Sequence, residues 1–74
     1  MDNDNLIRMA NRIGLFFSAM PERAEAVEGI ASHIKRFWEP RMRRQILAYL
    51  EQHGGAGLQD IVLEALRQHA PMLR

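Results

Sequence analysis

The stretch IKRFWEPRMRR, residues 34–44, decides how this chain folds because it places a proline corner between two helical segments. It contains the only tryptophan, and five of the chain's ten basic residues stand here against a single acid, Glu39. Its local net charge is therefore +4, whereas the whole chain carries +1. Proline disfavours helix in the residue before it and is tolerated at the first position of a new helix. Glu39–Pro40 thus predicts a helix–helix corner with a cationic, aromatic surface.

On both sides of this corner, apolar residues recur at three- and four-residue steps, which indicates amphipathic helices. The predicted boundaries are Pro21 between the first two helices, Gly54 after the third, and Pro71 after the fourth. The four predicted helices cover about residues 4–19, 21–38, 40–53 and 58–69. No strand pattern or internal repeat accompanies them. The sequence predicts an all-α fold, a small compact bundle of about four short helices in a single domain, residues 1–74.

The composition limits both the stability and the chemistry of the chain. A chain this short buries only roughly 60–65% of its unfolded surface, so its core supplies about 3–5 kcal/mol. It has no cysteine, which excludes disulfides, thiolate zinc sites and ligation of iron–sulfur clusters by this chain. A partner chain remains as the expected source of additional stability.

The sequence also bears on location. The N-terminus, MDNDN, lacks the charged-then-apolar plan of a signal peptide. The longest uncharged run, Ile13–Pro21, is far shorter than the ~18–20 residues that cross a bilayer. We expect a soluble cytoplasmic protein without membrane contact.

Candidate catalytic groups are scattered. His33, His53 and His69 lie sixteen or more residues apart, and no metal-binding or paired-carboxylate spacing surrounds them. The glycines match neither a phosphate-binding loop nor a dinucleotide fingerprint. We therefore expect no catalytic, cofactor-binding or metal-binding residue in this chain.

The basic cluster has three interpretations. It is a solvated corner, or a nucleic-acid site that grips phosphates and stacks bases, or a protein interface. The rest of the chain is slightly acidic and shows no recognition-helix motif, which disfavours nucleic acid. Tryptophan and arginine dominate interface hot spots, so a protein interface is favoured, although the spacing of Trp38 also fits a core residue. Arg43 falls in an apolar sector and is expected to reach outward or to pair with a carboxylate such as Glu39.

The first helix has an apolar sector of about half its circumference, and Leu15 adds an apolar residue on its other side. A helix buried on one side usually shows a narrower stripe. This width predicts burial on more than one side. The methionine and phenylalanine positions of the sector, Phe16 among them, fit core residues first and a binding stripe second, and a homo-oligomer that covers the helix with its own copy is one alternative.

Two segments carry a family resemblance: LIRMANRIGLFF, residues 6–17, and GIASHIKRFWEPRMRRQIL, residues 29–47. In this order, with an acidic segment after Met20–Pro21 between them, they resemble the delta subunit of NAD-dependent formate dehydrogenase, the soluble molybdenum- or tungsten-containing bacterial enzyme. The similarity spans roughly Leu6–Leu66, and its most specific parts are MANRIG and FWEPRMR.

The resemblance implies a non-catalytic accessory subunit that binds and stabilises, or helps to mature, the large catalytic subunit. The complex oxidises formate to carbon dioxide and reduces NAD through a molybdenum pterin, iron–sulfur clusters and flavin, none of which this chain is expected to bind. The alternative is a self-contained helical module that binds nucleic acid or its own copy. The motifs and the basic cluster together predict an interface of Asn11, Arg12, Leu15, Phe37, Trp38, Glu39, Pro40, Arg41, Arg43 and Arg44.

Overall fold

The structure is a computed structural model that describes residues 1–74, and it contains five helices and no strand. The helices are α1 (Asn3–Phe17), α2 (Arg23–Phe37), α3 (Pro40–His53), α4 (Asp60–Gln68) and α5 (Ala70–Leu73). The predicted all-α bundle is confirmed, with a fifth, four-residue helix that the sequence did not predict. None of the five has the length and apolar character needed to span a bilayer.

The loop between α1 and α2 is longer than the sequence predicts. Helix α1 ends at Phe17, where the Ser18 hydroxyl donates to the carbonyl oxygen of Leu15 at 2.7 Å. Glu22, in extended conformation (φ −95°, ψ 115°), is the N-cap of α2. Pro21 therefore precedes the cap instead of opening the helix. A serine hydroxyl bonded to its own helix competes with continuation of that helix.

The core is formed mainly by α1, α2 and α4, and α3 and α5 each add a fully buried side chain. Its largest fully buried side chains are Leu6, Val27, Ile30, Ile34, Ile46, Val62, Leu66 and Leu73. Helix α1 approaches α4 closely at Gly14, where an added Cβ would lie 2.5 Å from Cγ2 of Val62. The absence of a side chain at Gly14 thus sets the separation of these two helices.

The C-terminal segment departs most from the prediction. The predicted fourth helix, residues 58–69, begins only at Asp60 and breaks at His69, whose backbone is not helical (φ −113°, ψ 19°). Pro71 does not end the structure. It lies in the first turn of α5, where a proline needs no hydrogen-bond partner for its nitrogen. Helix α5 packs on α2, α3 and α4 and buries Leu73 completely.

Candidate interaction surface

Arg43 lies inside the helix α2–α3 corner. Its Nε donates to the carbonyl oxygen of Leu73 at 3.1 Å, and its Nη1 donates to the carbonyl oxygens of Trp38 at 2.8 Å and Lys35 at 3.2 Å. The last carbonyl groups of a helix have no partner within it, so the guanidinium caps the end of α2 and ties α5 to it. The partners are backbone carbonyls, and the carboxylate of Glu39 is not among them.

Asn11 is also used internally. Its side-chain nitrogen donates to the carbonyl oxygen of Gly57, and its oxygen accepts the backbone N–H of Gln59, both at 2.9 Å. The Asn11 amide thereby supplies hydrogen-bond partners to one carbonyl and one N–H group of the α3–α4 loop that have no backbone partner. Asn11 fixes this loop against α1.

The other predicted site residues divide between interior and surface. Trp38 is 5% exposed and belongs to the core, and Pro40 opens α3 at its first turn. Leu15 and Phe37 are 67% and 69% exposed. The remaining residues of the predicted set are exposed on α1, at the corner and on the first two turns of α3: Arg12, Glu39, Arg41 and Arg44.

The exposed cations lack partners within the chain. The structure has one salt bridge, between Arg23 and Glu64 at 2.8 Å, and it lies away from the basic cluster. No side-chain hydrogen bond engages Arg12, Arg41 or Arg44. Lys35 and Arg36 are exposed in the last turn of α2, where positive charge offsets the helix dipole. Four side-chain cations of the corner therefore face solvent without a salt bridge, while Arg43 is half-buried and hydrogen-bonded within the corner.

A row of four rings runs across α1 and α2. Phe16 contacts Phe17 edge to face at 5.1 Å between ring centroids, Phe17 lies 6.2 Å from His33, and His33 lies 4.7 Å from Phe37. Phe17 lies over Gly29, where an added Cβ would be 2.5 Å from the ring. Edge-to-face and offset ring pairs at these distances are attractive.

These rings line a shallow depression between α1 and α2, which we call the aromatic groove. One end is lined by Arg12, Ile13, Phe16, Phe17 and His33. The other end shares three of these residues and extends to α3, lined by Met9, Arg12, Ile13, His33, Phe37, Trp38 and Met42. Phe16, in the end of the groove that it shares with Phe17, is 74% exposed, which is the largest exposed fraction of any bulky apolar side chain.

The sequence interpretation missed Phe16 as a surface residue and did not place the half-buried His33 in a row of rings. It assigned Phe16 to the core because the residue falls in the wide apolar sector of the first helix. That unusual width was the signal, since it predicted burial on more than one side without locating it. His33 was treated as isolated because its neighbours in the row, Phe17 and Phe37, come from two different helices.

The histidines do not form a metal site. His33 belongs to the ring row, His53 stacks on Tyr49 with centroids 5.0 Å apart, and His69 lies at the break between α4 and α5. No group of three or more histidine, cysteine, aspartate or glutamate residues is placed to hold a metal ion. The chain also contains no cysteine, so it offers no thiolate to an iron–sulfur cluster.

The fold and surface define a small all-α protein that exposes an aromatic groove and several cations without a salt bridge. A family model described as NADH-dependant formate dehydrogenase delta subunit FdsD matches residues 5–66. The chain belongs to this family, and the resemblance carried by MANRIG and FWEPRMR is confirmed. No curated protein and no solved structure matches it. The matched residues end before α5, so the buried Leu73 lies outside them.

Proposed function

We propose that this chain is a non-catalytic accessory subunit of an NAD-dependent formate dehydrogenase, which binds the molybdenum-containing catalytic subunit and stabilises it or helps it to mature. The observation that carries the proposal is membership of the delta-subunit family over residues 5–66. The pterin, the iron–sulfur clusters, the flavin and NAD are assigned to the other subunits of the complex.

The exposed surface supports a binding role. Arg12, Arg41 and Arg44 make no side-chain hydrogen bond or salt bridge within the chain. Phe16 and Phe37 lie near them in the sequence, and most of the surface of each phenylalanine is exposed. Arginine and aromatic side chains together are the usual anchors of protein interfaces. In contrast, Arg43 and Asn11 form hydrogen bonds within the chain and Trp38 packs in the core. These three residues therefore fix the positions of the helices that carry the exposed surface.

Stabilisation follows from preferential binding. A chain that binds the folded or cofactor-loaded catalytic subunit, and not its unfolded form, stabilises the bound state by RT ln(1 + [L]/Kd). At a concentration a hundredfold above Kd this amounts to about 2.7 kcal/mol. Such a subunit needs no chemistry of its own.

The test is co-expression of the remaining formate dehydrogenase subunits with and without a tagged copy of this chain. We expect the catalytic subunit to co-purify with the tag and to lose metal content or thermal stability when the chain is omitted. Arg41→Glu combined with Arg44→Glu should weaken the association, while the isolated chain keeps its helical circular dichroism. Purification of the chain alone, or with nucleic acid that high salt removes, would count against this function.

A further inference from the structure

We propose that the aromatic groove binds an amphipathic helix of a neighbouring dehydrogenase subunit, with apolar side chains over the rings and a carboxylate against Arg12. This inference rests on the accessory role proposed above. It adds the part of the surface that is used and the chemistry of the segment that occupies it.

The first support is the exposed apolar area. Phe16 is 74% exposed and Phe37 is 69% exposed, at opposite ends of the ring row that passes through Phe17 and His33. Single exposed apolar residues are ordinary on a protein surface, whereas a contiguous patch marks a contact site. The two phenylalanines belong to one such patch, because each ring touches the next.

The second support is the shape of the groove. Helices α1 and α2 run antiparallel, since Phe17 lies over Gly29 while Met9 lines the same end as Phe37. From Met9 to Phe17 the helix rises about 12 Å, which equals roughly two turns. A depression of this length between two helices accepts the apolar face of a third helix, whose anchors recur every three or four residues.

The third support is charge. Arg12 lines both ends of the groove, and no carboxylate lines either end. Arg12 also makes no hydrogen bond or salt bridge within the chain. An arginine covered by a partner needs hydrogen-bond acceptors, and a carboxylate is the acceptor that also balances its charge and binds it through two parallel hydrogen bonds. We therefore expect the occupant to supply an acidic residue next to its apolar anchors.

The same argument disfavours a second copy of this chain. A twofold dimer places the same patch of each copy against the other. Because the lining of the groove contains Arg12 and no acid, each copy would bury a cation without a partner and bring like charges together. A chain of different, acidic composition meets neither obstacle.

The experiment uses the dehydrogenase purified without this chain, and measures its affinity for the full-length chain and for single variants. Arg12→Glu and Phe16→Ser alter exposed residues of the groove. Arg67→Glu is the matched control, because it reverses the charge of an exposed arginine on α4 that lies outside the groove. We expect each groove variant to weaken binding at least tenfold and Arg67→Glu to remain within twofold of wild type. Circular dichroism verifies that all variants stay folded.

A photo-crosslinking amino acid at position 16 then identifies the occupant by mass spectrometry of the complex. We expect the crosslink in a helix of a dehydrogenase subunit that carries acidic residues. Normal binding by both groove variants, a crosslink to a second copy, or one to a segment without acids would overturn the inference and leave the accessory role standing. If the wild-type chain does not bind the dehydrogenase at all, both proposals are wrong.

Discussion

Replacement of Arg43 by methionine tests whether this arginine holds the α2–α3 corner together. Methionine preserves most of the side-chain length and its packing but removes the guanidinium. The carbonyl oxygens of Lys35, Trp38 and Leu73 then lose the donors that lie 2.8–3.2 Å away. The fold should be destabilised at the end of α2 and at the docking of α5.

The magnitude follows from the three bonds. Hydrogen bonds from a charged donor contribute about 1.5–3 kcal/mol each, but Arg43 is only half-buried and water will reach some of the freed carbonyls. Taking about 1 kcal/mol for each bond gives a loss of about 3 kcal/mol. The core of a domain this small supplies about 3–5 kcal/mol, so the loss is a large part of the total.

The assays are urea unfolding and thermal unfolding of the isolated full-length chain, both monitored by circular dichroism at the helical band. A loss of about 3 kcal/mol corresponds to a Tm lower by about 12–24 °C in a domain this small. Arg41→Met is the control, because Arg41 is an exposed arginine of the same helix without a hydrogen bond, and it should change stability by less than about 0.5 kcal/mol. Equal stability of the two variants would refute the role assigned to Arg43.

Three further changes probe the packing. Leu73→Ala should lower the free energy of unfolding by about 2–4 kcal/mol, because Leu73 is fully buried; a change below about 1 kcal/mol in urea unfolding would mean that α5 is not docked. Gly55→Ala should destabilise the fold by about 2–4 kcal/mol, because φ is +78° and the new Cβ would clash with Leu63. Gly54→Ala, at φ +64° with open space around it, should cost only about 1 kcal/mol, so equal Tm values for the two variants would contradict the reasoning. Asn11→Ala should destabilise by about 1–2 kcal/mol and speed amide exchange at Gln59, and unchanged exchange would exclude the bond.

The spacing of apolar residues was sufficient to predict most of the helices, because a helical pattern depends only on residues three and four apart in the sequence. The apolar steps of α2, the proline at its end and the left-handed Gly54 after α3 are local signals, and the structure follows each of them. The helix ends near Ser18 and at His69 were predicted less well, since side-chain bonds and chain packing decide them.

The basic corner shows where local reasoning stops. The sequence located the arginines and the tryptophan and marked Trp38 and Arg43 as ambiguous, but it kept all of them in the predicted interface. Tertiary contacts separate them: Arg43 reaches Leu73, thirty residues away, and Trp38 enters the core, while Arg41 and Arg44 remain at the surface. The use of each arginine depends on which distant carbonyl lies within reach.

By itself, the sequence determined the class of fold, the cationic corner and the family. Helix periodicity, the positions of the prolines and the order of the motifs depend only on the order of residues along the chain. The folded chain decided which side chains point inward, how the last residues complete the core, and that rings from two helices form one groove. These outcomes depend on contacts between residues far apart in sequence, and such contacts exist only after the helices have packed.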